Sequence, residues 1–304
     1  MRGASGAPRV YLVDASVYIF RAYYSELPAM TDRDGQAAHA VFGFARFLSD
    51  LIEAVRPTHI AVAFDQSLAS SFRNRIYPAY KANREPPPPG LLPQFERCRE
   101  LCRHLGVAAF ISSEYEADDI IGTLVSIVRR AGLCTVVITR DKDLAQLIRA
   151  GDHYWDYGHK ARCGYGEVAE RFGVMPERFA DYLALTGDSV DNIRGVPGIG
   201  PKTAAALMKE FACLEEIYAG LERVTRLKLR GAATLAERLR AHRDAAFLAR
   251  QLTQIACDMP LEADAGSLRR RPPDAPALAS FYDQHQFGPL LRRQSERLAQ
   301  IPCG

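Results

Sequence analysis

The sequence predicts an α/β fold, with a mostly parallel sheet flanked by helices, followed by an all-α region built on a helix-hairpin-helix. Three observations predict it. Short β-branched runs alternate with longer stretches of helical period as far as Ala150, strand signals vanish from Pro176 onward, and a glycine-spaced turn at Gly195–Ala204 enters a helix.

Taken in order, Val10–Val13, His59–Phe64, Val107–Ile111 and Thr135–Thr139 read as strands. Between and after them, Ala37–Val55, Leu91–Leu105, Tyr115–Ala131 and Asp143–Ala150 carry apolar residues at helical spacing. Strands separated by helices pair in parallel through crossovers, which places helices on both faces of the sheet. The segment Ser67–Gly90, basic and closed by Pro86-Pro87-Pro88-Pro89, is too long for a tight connection, and such excursions in compact domains usually carry function or are disordered. Pro176–Leu185 and Pro201–Phe211 then read as helices, the second with Pro201 at its favoured first position. A loop at Arg269-Arg270-Arg271-Pro272-Pro273 precedes a last helical stretch. The expected division is a disordered extension at 1–8, an α/β domain at 9–174 with the excursion at 67–90, a helical region at 175–262, and a C-terminal helical segment at 263–304 packing on the core.

A chain of 304 residues with 48% apolar and 25% charged content is ordinary for a folded protein. The net charge of +3 says little about partners, but its distribution says more. Arg223 to Arg243 holds seven Lys or Arg against one acid, and Gln66 to Arg84 four against none, so both are candidate phosphate-facing surfaces. Seven scattered cysteines exclude a secreted disulfide framework and point to a reducing cytoplasm, and Cys98, Cys102 and His104 lack the second ligand pair a zinc site needs. The run Val10–Val13 is too short for a signal peptide, and nothing later could span a bilayer.

The carboxylates carry the chemistry. Asp14 closes the first strand, Asp65 the second, Asp141 and Asp143 follow the fourth, and Glu116, Asp118 and Asp119 open the helix after the third. Parallel topology therefore delivers acids from four distant segments to the carboxyl edge of one sheet, the edge where ligands bind. Two like charges ~4 Å apart repel by roughly 4 kcal/mol at an effective dielectric of 20, so the cluster calls for a bound cation. A hard all-oxygen donor set favours magnesium or manganese over zinc. Taken singly each acid has another reading: Ser113 and Glu116 as a capping box, Asp141 and Asp143 as helix starters, Asp65 as a turn residue. Capping does not explain why every strand end is acidic, nor Asp118 and Asp119, which are expected beyond the first helical turn.

In the turn Gly195-Val196-Pro197-Gly198-Ile199-Gly200-Pro201-Lys202-Thr203-Ala204, glycines allow close approach of the main chain to an anion, and Lys202 lies just inside the next helix. The turn follows a helix, which suits a helix-hairpin-helix holding a phosphate backbone better than a nucleotide-binding loop. Upstream, Gly187-Asp188-Ser189-Val190-Asp191-Asn192 adds two acids, with an Asx turn as the alternative reading.

Val13-Asp14, Phe64-Asp65, Glu116-Ala117-Asp118-Asp119, Asp141-Lys142-Asp143, Gly187–Asn192 and the Gly195–Ala204 hairpin together resemble, in order and spacing, the 5′-nuclease domain of bacterial DNA polymerase I, within a group that includes phage 5′-exonucleases and flap endonucleases. The resemblance runs from Val10 to Arg293 and implies a PIN-like sheet domain and a stand-alone divalent-metal-dependent 5′-3′ deoxyribonuclease. It implies two Mg2+ or Mn2+ ions held by Asp14, Asp65, Glu116, Asp118, Asp119, Asp141, Asp143, Asp188 and Asp191. Ser67–Gly90 resembles the family's helical arch, with Lys81 and Arg84 meeting the scissile phosphate, Tyr80 stacking on a base, and Arg21 and Arg73 assisting. The resemblance further implies that Gly195, Val196, Gly198, Gly200, Lys202 and Thr203 contact the duplex backbone, with a monovalent cation such as K+ at the hairpin. Implied partners are DNA with 5′ flaps, nicks or free 5′ ends and a separate DNA polymerase, for a monomer in the cytoplasm at the nucleoid. Arg140 and the four prolines after Glu85 depart from the usual pattern and bear on access to the site and on stiffness of the arch. The competing readings are a PIN-type endoribonuclease and a non-catalytic branched-DNA-binding module.

Overall fold

The computed structural model describes residues 8–26, 28–66, 71–158, 161–229 and 231–303. The expected disordered extension lies, apart from Pro8, outside the described residues, as do Ser67–Ser70 of the basic excursion. Five strands run parallel, β1 (Arg9–Asp14), β2 (His59–Asp65), β3 (Ala108–Ser112), β4 (Cys134–Ile138) and β5 (His153–Trp155), and β6 (Cys163–Gly164) is antiparallel at the edge. Their order across the sheet is β3-β2-β1-β4-β5-β6.

The alternation of side chains along each strand explains the double covering. Val10 and Leu12 join the core beneath α5 (Ala117–Arg130), with Ile120, Leu124 and Val128, while Tyr11 and Val13 join the core beneath α2 (His39–Val55), with Phe44, Leu48 and Ile52. Strands buried on both faces read as continuous apolar runs, which is why β1, β2 and β4 were visible in the sequence; β3, half-buried at the sheet edge, was visible through Val107–Ile111. Others were not: β5 and β6, three and two residues long, are too short to leave a run, and two helical segments differ from expectation. Residues Ala15–Tyr23 form a helix, α1, although Val-Tyr-Ile-Phe carries β-type preferences, because Tyr18 stacks on Phe47 of α2 at 3.8 Å and tertiary packing overrides propensity. The expected helix Asp143–Ala150 is only a 3-10 turn, Lys142–Leu147, after which the chain turns back to enter β5.

Among its described residues the basic excursion contains one five-residue helix, α3 (Phe72–Ile76), followed by turns. α4 (Leu92–His104) follows and buries Cys98 and Cys102. Beyond the sheet come α6 (Tyr165–Phe172), α7 (Phe179–Thr186), α8 (Pro201–Glu210), α9 (Leu214–Ala219), α10 (Leu221–Thr225), α11 (Ala232–Ala241) and α12 (Arg243–Thr253). The expectation of no strands there needs correction: β7 (Gly187–Asp188) and β8 (Ile193–Arg194) pair antiparallel between α7 and α8. Two-residue strands leave no periodic signal. α13 (Ala275–Gln284) and α14 (Pro289–Ala299) return to the sheet domain and pack on α4 and α2, where Gln294 bridges Asp50 and Glu53.

Candidate active site

The carboxyl ends of β1 and β2, the residues after β4 and the start of α5 enclose a cavity of about 160 Å3, lined by Asp14, Asp65, Glu116, Asp118 and Asp141 together with Ser16, Lys81 and Arg84. A larger, mostly apolar cavity of about 350 Å3 adjoins it through Asp65 but holds none of the other four acids. Hydrogen bonds aim the carboxylates. Ser16 Oγ donates to Asp65 Oδ2 at 2.5 Å and the Ala117 amide to Asp65 Oδ1 at 2.8 Å, while Thr139 Oγ1 donates to Asp14 Oδ2 at 2.9 Å. Crowding shows in the protonation equilibria. Burial first, then the charges of Asp65 and Asp141, push the Asp14 carboxyl up to about 7. Burial and Asp141 push Asp143 up to about 8, and burial with Asp141 and Asp14 holds Asp118 well above the carboxylate range.

The protein supplies counter-charge of its own, which corrects the expectation that only bound ions could make this cluster tolerable. Lys81 Nζ lies 2.6 Å from Glu116 Oε1 and 3.9 Å from Asp191 Oδ2, and Arg84 pairs with Asp191. Lys142 Nζ lies 2.5 Å from Asp188 Oδ2 and 3.6 Å from Asp143 Oδ1. Lys142 was overlooked in the sequence, although its position between Asp141 and Asp143 was the available signal. Asp188 also makes the alternative Asx turn, accepting from the amides of Val190 and Asp191.

Four expected site residues stand elsewhere. Asp119 is fully buried, and both its oxygens are taken: Arg73 donates to each at 2.7 and 2.8 Å, the Ala256 amide to Oδ1 and the Glu116 amide to Oδ2. It is therefore no direct ion ligand in this geometry. Arg73, 2% exposed, serves that pair and also donates to Glu116, Leu252 O and Gln254 O, so it cannot reach DNA. Tyr80 is 4% exposed with its hydroxyl on Glu116 and Asp191, which excludes stacking on a base. Arg21 is exposed on α1 beside Arg46 in a different cavity. Two local readings also fail. α5 starts at Ala117, so Asp118 and Asp119 occupy its first turn after all, and the reciprocal cap joins Glu116 to Asp119, with Ser113 uninvolved.

In the hairpin the glycines divide by role. A methyl group at Gly195 would lie 2.3 Å from the Gly187 amide nitrogen, so this glycine serves internal packing. Val196 is buried and donates its amide to Leu185 O at 2.9 Å, which removes it from the outer face. Gly198, at φ +77°, Gly200 and Lys202 are exposed, and among the described residues the amides of Gly198, Gly200, Lys202 and Thr203 have no acceptor. A methyl group at Gly198 would lie 2.5 Å from Arg238 Nη1, so the guanidinium of α11 sits beside the turn, a neighbour no spacing pattern indicated. Free amides at a helix start beside exposed cations suit an anion.

Among the described residues, no three acidic, histidine or cysteine side chains are drawn together tightly enough to hold an ion. The donors nevertheless fit a hard divalent cation. All are carboxylate oxygens, and Asp143 Oδ1 is buried without a hydrogen-bond partner.

The chain is similar to known proteins along most of its length. Residues 9–173 match the family described as 5′-3′ exonuclease, N-terminal resolvase-like domain, and 174–276 its C-terminal SAM fold. The chain is 40% identical to DNA polymerase I of Rhizobium leguminosarum over 94% of its own length and 28% of that protein's, and 38% identical to DNA polymerase I of Pseudomonas aeruginosa over 96% and 32%. It thus spans about a third of the curated relatives it matches. The fold is shared with zinc-bound T5 5′-exonuclease (TM-score 0.67, 20% identity, 96% of this chain and 99% of that one). It is shared too with the catalytic core of Rad2 in complex with DNA substrate (TM-score 0.62, 17% identity, 99% and 95%). With both family regions matched in sequence and the acids gathered at the sheet edge, the chain belongs to the 5′-3′ exonuclease family of nucleases.

Proposed function

We propose that this chain hydrolyses DNA phosphodiester bonds close to 5′ ends, as a structure-selective 5′-3′ exonuclease or flap endonuclease in replication and repair. One observation carries the reading: five acids from four segments share a cavity with Lys81 and Arg84. Asp14, Asp65, Glu116, Asp118 and Asp141 would hold one Mg2+ or Mn2+, and Asp143, Asp188 and Asp191 a second. Such ions supply a water of lowered pKa and stabilise an in-line displacement. Arg84, half-exposed at the cavity, and Lys81 would offset charge growing on the phosphoryl oxygens once their acids are otherwise neutralised. Products would carry a 5′-phosphate and a 3′-hydroxyl.

The hairpin amides, Lys202 and Arg238 would hold the duplex by its phosphates, with a monovalent cation such as K+ at the turn, giving salt-dependent and sequence-independent affinity. The substrates on this reading are flaps, nicks and free 5′ ends, met by a monomer working beside a DNA polymerase at the cytoplasmic nucleoid. No helix among the described residues is long and apolar enough to cross a membrane.

The test is incubation of purified protein with 5′-labelled flap, nicked and single-stranded DNA and RNA, with magnesium or with chelator. Magnesium-dependent cut near the flap junction is expected, lost in Asp141→Ala with DNA binding retained. Cleavage of RNA alone would instead indicate an endoribonuclease, and binding without cleavage a recognition module.

A further inference from the structure

The two lysines of the acidic region are held differently. Lys81 is enclosed, with its side chain 13% exposed and its ammonium 4.9 Å from the centre of the Tyr80 ring. Lys142 is 46% exposed, yet its ammonium reaches back to Asp188 Oδ2 and towards Asp143 Oδ1. For Asp188, Oδ2 is the one oxygen left to offer. Asp188 Oδ1 is tied to the Val190 and Asp191 amides, and Asp143 Oδ1 is the buried atom without a hydrogen-bond partner.

We infer that Lys142 is a resident counter-cation: in the ion-free protein its ammonium occupies the Asp143–Asp188 pair, and it must swing out before that pair accepts a divalent ion. The inference rests on the metal-dependent reading above and adds a regulator to it. A magnesium ion needs its ligand oxygens at ~2.0–2.1 Å in a near-octahedral shell. An ammonium donating to the same oxygen would stand inside that shell with like charge, so the two exclude each other. Asp188 has no second free oxygen with which to serve both. The half-exposed stem gives Lys142 a route into solvent, where an incoming DNA phosphate offers a new partner. The second ion is consequently the weaker one, and its loading is coupled to substrate arrival, while the fold keeps its charge balance when no ion is bound.

Chelator-stripped protein titrated with Mn2+, followed by loss of the free-ion paramagnetic resonance signal, tests this without any reaction. Wild type should bind one tighter and one weaker ion. Lys142→Met should tighten the weaker by about tenfold and leave the tighter unchanged, whereas Lys142→Arg, which keeps the charge, should behave as wild type. Unchanged or weaker Mn2+ binding in Lys142→Met overturns the inference alone. A wild type that binds no Mn2+ overturns both the inference and the metal-dependent reading. Should Lys142→Met not fold, 13C NMR of lysine-labelled wild type decides: the Lys142 side-chain signal must move on Mg2+ addition, and a signal that stays in place refutes displacement.

Discussion

The acid cavity and the hairpin, the two regions proposed to meet a phosphate backbone, are built in opposite ways. The cavity assembles side chains from segments as distant as Asp14 and Asp141, and each added carboxylate works against folding until a cation balances it. The hairpin is local, Gly195 to Thr203, and what matters there is the absence of side chains, so that main-chain amides stay uncovered. On the proposed function, chemistry would be concentrated where stability is given up, and grip placed where almost nothing is given up. Changes in the first region should alter rate and stability, and changes in the second should alter affinity.

Asp141→Ala would break this division most visibly: turnover should fall by about 10³-fold or more while the Kd for flap DNA stays put, read by single-turnover kinetics and fluorescence anisotropy. An equal loss of DNA binding would merge the two regions. Arg73→Met comes next. It strands Asp119 as a buried charge, and urea unfolding should show a loss of about 3–5 kcal/mol, largely regained when Asp119→Leu is added.

The acids of the cavity should also make the ion-free fold sensitive to pH. Asp14 at about 7 and Asp143 at about 8 lie above the ordinary value of 3.8 that they regain on unfolding. A raised carboxyl pKa costs stability fully above the folded value and not at all below the unfolded one. In chelator, Tm should therefore rise as pH falls from 8 towards 5, by roughly 2–4 °C per kcal/mol recovered. Magnesium at pH 8 should reproduce the gain; a flat profile would show that Lys81 and Lys142 already balance the site.

Gly198→Ala forces a side chain to φ +77° beside Arg238, at about 1–2 kcal/mol, so Kd should rise about tenfold while turnover on saturating DNA is kept. Lys202→Ala should have the smallest effect, lowering the slope of log affinity against log salt by about 1. A change in turnover from either would mean that grip and chemistry are not separable.

Much of this was legible in the sequence, because apolar strands buried on both faces announce themselves and acids at their ends follow from topology. What was not legible depended on direction. Asp118 and Asp119 are adjacent in one motif, but successive helical residues point about 100° apart, which sends Asp118 to the cavity and Asp119 to Arg73. Arg73 and Tyr80 sit in a basic segment that resembles a DNA-contacting surface, and only the docking of Lys81 N on Asp191 O and of Asn192 on Ala79 O shows that this segment folds inward. α1 was hidden by residues that favour strands in isolation.

Arg73 has one more consequence. Its guanidinium joins the start of α5 at Asp119 to the end of α12 at Leu252 and Gln254, and α12 packs on α7, which leads into the hairpin. A single side chain thereby ties the start of α5, beside the acid cavity, to the helices that carry the hairpin. On the proposed function, such a strut would act as a gauge, keeping incision at a constant distance from the anchorage whatever the base sequence between them.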